Sequence, residues 1–239
     1  MRQRSDMTDD AAPLTLIGSP GCGSAIVEMA LALLGLPHVL EDLPYREPGP
    51  GRDRLLALNP TGKVPVLVIP GAAPDGGDLV MTESAAILLH LADLAGPRGA
   101  ELVPAAGDPL RPVFLRWLVF LVAEIYPAVT VPEHADDTGL AGEPLAGFRA
   151  GMQVRRDGLW RMLEAAADPA GPWFLGSRFS AIDLYLAVMS AWAGGRARFA
   201  RVTPHLGAIA GRARALPRVA AVLARHGDIQ DPLQDGETA

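Results

Sequence analysis

With 239 residues, 49% of them hydrophobic, the chain is long enough to bury one large core or two modest ones. Its 27 acidic and 21 basic side chains leave a formal net charge of −6 and no Lys/Arg run, which argues against a nucleic-acid partner or an anionic membrane surface and points to small molecules. The single cysteine, Cys22, excludes an intrachain disulfide and a thiolate zinc cluster, so the fold rests on packing, as is usual in a reducing cytoplasm.

The opening MRQRSDMTDDAA carries charge without an apolar stretch and reads as a disordered lead-in rather than a signal peptide. LTLIG, residues 14–18, is a short strand, and Ile26, Val27, Ala30, Leu31 and Leu34 then recur at helical spacing from Ser24 until Gly35 and Pro37 stop the helix. HVLEDLPY supplies a second strand, parallel to the first, and GRDRLLALNP a short helix ended by Asn59-Pro60. VPVLVI and LVM form a hairpin around PGAAPDGGD, and ESAAILLHLADL is a helix with an inward stripe at Ile87, Leu88 and Leu91. The order β-α-β-α-β-β-α over roughly 85 residues is the size of a small α/β domain. Helical periodicity dominates from Asp108 to His226 in segments separated by Pro/Gly-rich joints. The expected organisation is a mixed-sheet domain over 13–96, a linker over 97–107, an all-helical domain over 108–226 and a polar tail over 227–239. The most apolar stretch, VFLRWLVFLVAEIYPAVTV, is interrupted by Arg116, Glu124 and Pro127 and reads as a core helix, not a membrane span.

Three short motifs carry chemistry. In NPTGKVPVL, residues 59–67, Pro65 cannot donate to a sheet ladder. Either the Val64-Pro65 bond is cis, freeing the Val64 backbone to pair with an extended ligand, or an edge strand begins at Val66. In MTES, residues 81–84, Glu83 and Ser84 open a helix whose free N–H groups favour an anion, while Glu83 can engage a cation; the alternative is an ordinary cap by Thr82 or Ser84. In SPGCGS, residues 19–24, a thiol and hydroxyls sit at a helix start, where the dipole and N–H groups stabilise a thiolate. The plainer readings there are an inert, packed Cys22 and an N-cap Ser24. The five histidines show no ligand spacing, and no metal site is expected. In FSAID the Ser180 side chain should cap a helix, with Asp183 reaching back to the Ser180 backbone.

The strand-turn-helix opening, NPTGKVPVL, MTESAAILLHLAD and FLGSRFSAIDLYLAVM together resemble the soluble glutathione transferases over almost the whole chain. The resemblance implies a thioredoxin-like N-terminal domain and a helical C-terminal domain. It further implies glutathione as co-substrate, with Lys63, Val64 and Pro65 along its cysteinyl part and Glu83 and Ser84 at its γ-glutamyl end. Aligned with bacterial beta-class members, Gly23 occupies the position of the catalytic cysteine, Cys22 lies one residue early, and Ser24 falls beside the serine that follows. The earliest tyrosine is Tyr45, which sets the chain apart from the tyrosine-type enzymes and leaves Ser24, Cys22 or Ser19 to stabilise the thiolate. Ser24 is ranked first, as a cap hydroxyl pointing at the space beside the Val64 backbone. Trp117, Phe120 and Tyr126 belong to the helix that borders the second-substrate pocket in this family, with helix core the alternative role for at least two of them.

The expected activity is transfer of glutathione to a small hydrophobic electrophile. The alternatives are a glutathione-dependent thiol-disulfide oxidoreductase using Cys22 and a non-catalytic binding protein. The resemblance also implies a homodimer in the cytoplasm, without metal, nucleic acid or membrane.

Overall fold

The computed structural model describes residues 12–192, 194–227 and 229; nearly all of the expected lead-in and most of the expected tail lie outside these. Strand β1 (Leu14–Gly18) runs into helix α1 (Ser24–Leu34), β2 (His38–Asp42), α2 (Pro50–Leu58), β3 (Val66–Ile69), β4 (Leu79–Met81) and α3 (Ser84–Leu94). The sheet order is β2-β1-β3-β4, with β1 and β2 parallel and the other two pairings antiparallel. Successive side chains of a strand point to opposite faces, and β1 buries both. Leu16 packs with Leu67, α1 and α3 in the main core, while Ile17 and Val66 pack with Leu55 of α2 on the other side. The result is a sheet covered by helices on both faces, the thioredoxin-like arrangement expected from the element order.

Registry decides what shares an edge. Ile17 lies beside Val66, Gly18 beside Asp42, and Leu67 beside Met81. The turn after β1, the loop after β2, the residues before β3 and the junction after β4 therefore leave the sheet at one end.

A 3-10 turn at Gly96–Glu101 occupies part of the expected linker. Beyond it come α4 (Arg111–Phe120), α5 (Tyr126–Glu133), α6 (Gly142–Ala166), α7 (Ala181–Met189), α8 (Gly195–Val202), α9 (Pro204–Arg214) and α10 (Pro217–Arg225). A π-helical turn, Leu121–Ile125, joins α4 to α5 without a break. By length and composition alone the 23-residue helix Arg111–Glu133 is apolar enough to cross a membrane, contrary to expectation, but Phe114, Leu118, Leu121 and Ile125 are buried in the protein's own core. Helix α7 is buried along its whole length and packs on α9 and α1. Its start is the expected capping box: Asp183 accepts from the backbone N–H of Ser180 at 2.7 Å, and also from that of Phe174 at 2.9 Å. Burial pushes the Asp183 carboxyl up to about 6 against these bonds.

Two helical expectations need correction. The segment from Thr203 to His226 divides at Pro217, which lacks the N–H needed to continue α9 and starts α10 instead. Helix α8, GRARFARV, was not expected because it lacks an apolar stripe; of its side chains larger than glycine only Phe199 is buried, edge-on to Trp160 at 4.9 Å.

Candidate functional site

The turn from Ser19 to Ser24 is closed by its own hydrogen bonds. The Cys22 N–H donates to the Ser19 carbonyl at 3.2 Å, and Ser24 Oγ donates to the same carbonyl and accepts from the Ser19 N–H, each at 3.2 Å. Ser24 is 1% exposed, and a side chain on Gly18 would meet its Oγ at 2.8 Å. This corrects its expected orientation. Gly23, not Ser24, stands at the cap position of α1, and the Ser24 hydroxyl faces back onto the end of β1, where both its bonds are used within the turn.

Cys22 is half-buried. Desolvation pushes its thiol pKa up, against hydrogen bonds from the Tyr45 hydroxyl and from Ser19 that pull it down, while Glu133 adds a further upward push. Burial and the neighbouring Cys22 push Tyr45 up to about 12. No tyrosine is near this turn in sequence, yet two reach it in space. Tyr45 arrives on the loop after β2, and Tyr126 arrives from the first residue of α5. A Cβ built on Gly23 would lie 2.0 Å from the Tyr126 hydroxyl oxygen. Gly23 has ordinary right-handed torsions, φ −64° and ψ −10°, so space rather than backbone freedom excludes a side chain there. The Tyr126 ring is held edge-on to Trp192 at 5.4 Å, and its hydroxyl has no hydrogen-bond partner among the described residues. Burial first, then the neighbouring Tyr185, Cys22, Glu133 and Tyr45, hold its pKa far above the usual phenol range. Trp117, half-buried, packs edge-on to Phe120 at 5.1 Å and to Phe174 at 6.2 Å.

At the neighbouring strand the Val64-Pro65 bond is cis and β3 begins at Val66. Among the described residues no backbone hydrogen bond uses the Val64 N–H or C=O. The loop before it is organised by Asn59, 5% exposed. Its Oδ1 accepts from the Thr61 N–H at 3.1 Å and from Thr61 Oγ1 at 2.8 Å, and its Nδ2 donates to the Lys63 carbonyl at 2.8 Å. The Lys63 side chain is exposed and Pro65 is buried. After β4, Glu83 is exposed and takes φ 65° and ψ 103°, a left-handed conformation that L-residues adopt at a cost of about 1–3 kcal/mol. Ser84, the first residue of α3, shares a 2.6 Å hydrogen bond with the hydroxyl of buried Tyr185 on α7. Neither Thr82 nor Ser84 caps α3 with its side chain, so the ordinary-cap alternative falls away. Each of the chain's three tyrosines thus meets a residue from the chemistry-bearing motifs.

A buried network ties the far end of the chain to the turn. The Gly21 N–H donates to His226 Nδ1 at 3.1 Å, which leaves Nε2 as the protonated nitrogen, and Nε2 donates to Glu28 Oε2 at 2.8 Å. Arg225 Nε donates to Glu28 Oε1 at 2.8 Å, and its Nη1 to Asp42 Oδ2 at 2.6 Å. Burial would raise the Glu28 carboxyl, but the bonds from Arg225 and His226 outweigh it and hold the pKa low. Nothing in the local pattern around His226 announces this role. A separate depression of about 440 Å³, lined in part by Leu33, Trp173, Arg178 and Phe179, contains none of these groups. No group of His, Cys, Asp and Glu suited to a metal occurs among the described residues.

The sequence profile of the glutathione S-transferase N-terminal domain matches residues 24–94. The chain is similar to the uncharacterised GST-like protein YncG of Escherichia coli K12, 31% identical over 214 residues that span 89% of this chain and 98% of that one. A disulfide-bond oxidoreductase of the same organism, YfcG, is 28% identical over 57% of this chain and 60% of its own. Among solved structures, a sphingomonad glutathione S-transferase complexed with glutathione superposes with a TM-score of 0.69 at 30% identity, over 89% of this chain and 98% of that one. With the sheet order, the helical half and the free Val64 backbone already in place, this near full-length similarity establishes that the chain belongs to the glutathione S-transferase family.

Proposed function

We propose that the protein binds glutathione across the end of its sheet and stabilises the thiolate at the start of α1 for attack on a small hydrophobic electrophile. The observation that carries this is the convergence, set by strand register, of the unpaired Val64 backbone, the Glu83–Ser84 junction and the Ser19–Ser24 turn. Val64 can exchange backbone hydrogen bonds with an extended peptide. The N–H groups at the start of α3 suit a carboxylate, and the exposed Glu83 side chain suits an ammonium, so the junction fits the zwitterionic end of the tripeptide. Lys63, exposed beside Val64, can reach a second carboxylate. The solved sphingomonad relative holds glutathione, which supports the same ligand here. A cytoplasmic location and a homodimer belong to this reading, the first supported by the lone cysteine and the second by Val113 and Val119, which α4 leaves exposed. Sedimentation at twice the chain mass would support the dimer, and at the chain mass would reject it.

One observation favours a second reading. Cys22 is a partly accessible thiol beside Tyr45, and YfcG is named as a disulfide-bond oxidoreductase. The upward push of burial on the Cys22 thiol weighs against it as a resting nucleophile. Calorimetric binding of reduced glutathione with conjugation of model electrophiles supports the transferase. A tripeptide mass added by oxidised glutathione and abolished in Cys22→Ser, without conjugation, supports the oxidoreductase. Binding with neither activity supports a binding protein.

A further inference from the structure

We propose that Tyr126, reaching over from the helical half, is the catalytic hydroxyl that donates to the glutathione sulfur in place of the side chain missing at position 23. The inference rests on the glutathione-binding reading above.

Three observations converge on it. First, the turn carries glycine where a side chain would meet the phenol, 2.0 Å from the built Cβ, and the Gly23 torsions do not call for glycine; the position is kept empty for the Tyr126 oxygen. Second, the π-helical turn Leu121–Ile125 ends directly before Tyr126. An added residue within a helical turn rotates everything after it, and such turns concentrate at functional sites. It accompanies a division of labour in this helix, with Trp117 packed on Phe120 and Phe174 and Tyr126 directed at the turn. Third, other hydroxyl groups beside the site are engaged with their neighbours. Tyr185 bonds Ser84, Ser24 bonds Ser19 and Tyr45 lies against Cys22, whereas the Tyr126 hydroxyl has no hydrogen-bond partner among the described residues.

The chemistry follows from the surroundings. A phenol among apolar and aromatic groups, with Cys22, Tyr45, Tyr185 and Glu133 nearby, keeps its proton through the working pH range. It therefore acts as a donor and not as a base. The thiol proton leaves to solvent, the sulfur's electron pair forms the new carbon–sulfur bond, and the electrophile's leaving group departs to solvent with its own bonding pair. Trp192 against the ring limits the positions from which the hydroxyl can donate.

The test uses the full chain and titrates the thiolate absorbance of bound glutathione. Tyr126→Phe keeps the ring and its Trp192 contact and removes only the oxygen. The expected result is near-unchanged glutathione affinity, a bound-thiol pKa about one to two units higher, and kcat/KM at neutral pH about 10- to 100-fold lower, recovering as pH is raised. Gly23→Ala should reproduce the pKa rise by displacing the phenol, with circular dichroism reporting that both variants fold. Glutathione bound by Tyr126→Phe with an unshifted thiol pKa overturns the assignment. An unfolded Tyr126→Phe passes the decision to Gly23→Ala, where an unshifted pKa overturns it equally. A wild-type protein that fails to bind glutathione, or binds it with the pKa of the free thiol, overturns the underlying reading instead.

Discussion

Removing the Glu28 carboxylate tests how strongly the end of the chain holds the turn. In Glu28→Ala, two nitrogens of Arg225 and Nε2 of His226 lose their acceptor together. Arg225 keeps Asp42 and access to water, its side chain being 32% exposed, but the His226 side chain is 0% exposed and its N–H is left without a partner. An unpaired buried donor costs about 1–3 kcal/mol, and the lost charge-assisted bonds from Arg225 bring the total to about 3–5 kcal/mol, as for other broken buried pairs. For a chain of this length each kcal/mol moves the midpoint by about 2–4 °C, so Tm should fall by roughly 6–20 °C at pH 7 in a circular-dichroism melt. The sign in acid is fixed by linkage. Because the folded state holds the Glu28 pKa low, the network's contribution is complete above the unfolded value of about 4.3 and disappears as pH falls through the lower folded value. The gap between wild type and variant should therefore narrow as pH falls below about 4.3. A gap under about 2 °C at pH 7, or one that persists in acid, would refute the reasoning.

Asn59→Ala removes two bonds to Thr61 and one to the Lys63 carbonyl, and the loosened loop should weaken glutathione binding about tenfold, near 1.4 kcal/mol by calorimetry; unchanged affinity would remove Asn59 from the binding apparatus. Asp183 works opposite to Glu28: its pKa is raised to about 6, so the native state binds the proton more tightly than the unfolded chain. Wild type should accordingly lose on the order of 3 kcal/mol relative to Asp183→Asn between pH 4 and 7, and a flat difference in urea titrations would show that the carboxyl's burial is not felt. Ser24→Ala gives up two bonds that close the turn and should lower stability by about 1–2 kcal/mol. A bound-thiol pKa raised by about one unit or more with Tm unchanged would instead return the donor role to Ser24.

The backbone of this protein was legible in its sequence because the signals for it are local. The apolar run LTLIG, helical spacing from Ser24 to Leu34, the left-handed Gly35 and the Ser180–Asp183 box each act within a few residues, and each element formed where those signals stand. The same holds for Val64-Pro65 and Glu83-Ser84, where proline chemistry and a strand-to-helix junction mark the place without reference to the rest of the chain. Side-chain direction was not legible. Ser24 stands at the predicted helix start, yet whether its hydroxyl faced a ligand or the end of β1 depended on how closely Gly18 approached. The groups that complete the site come from far along the chain: Tyr126 lies 103 positions beyond Gly23, His226 205 beyond Gly21, and Tyr185 101 beyond Ser84. No periodicity spans such separations. Packing of α10 on α1, α7 on α1 and the π turn before α5 decided which hydroxyl meets the turn, because a buried side chain's position is set by the whole set of neighbours that exclude it from elsewhere.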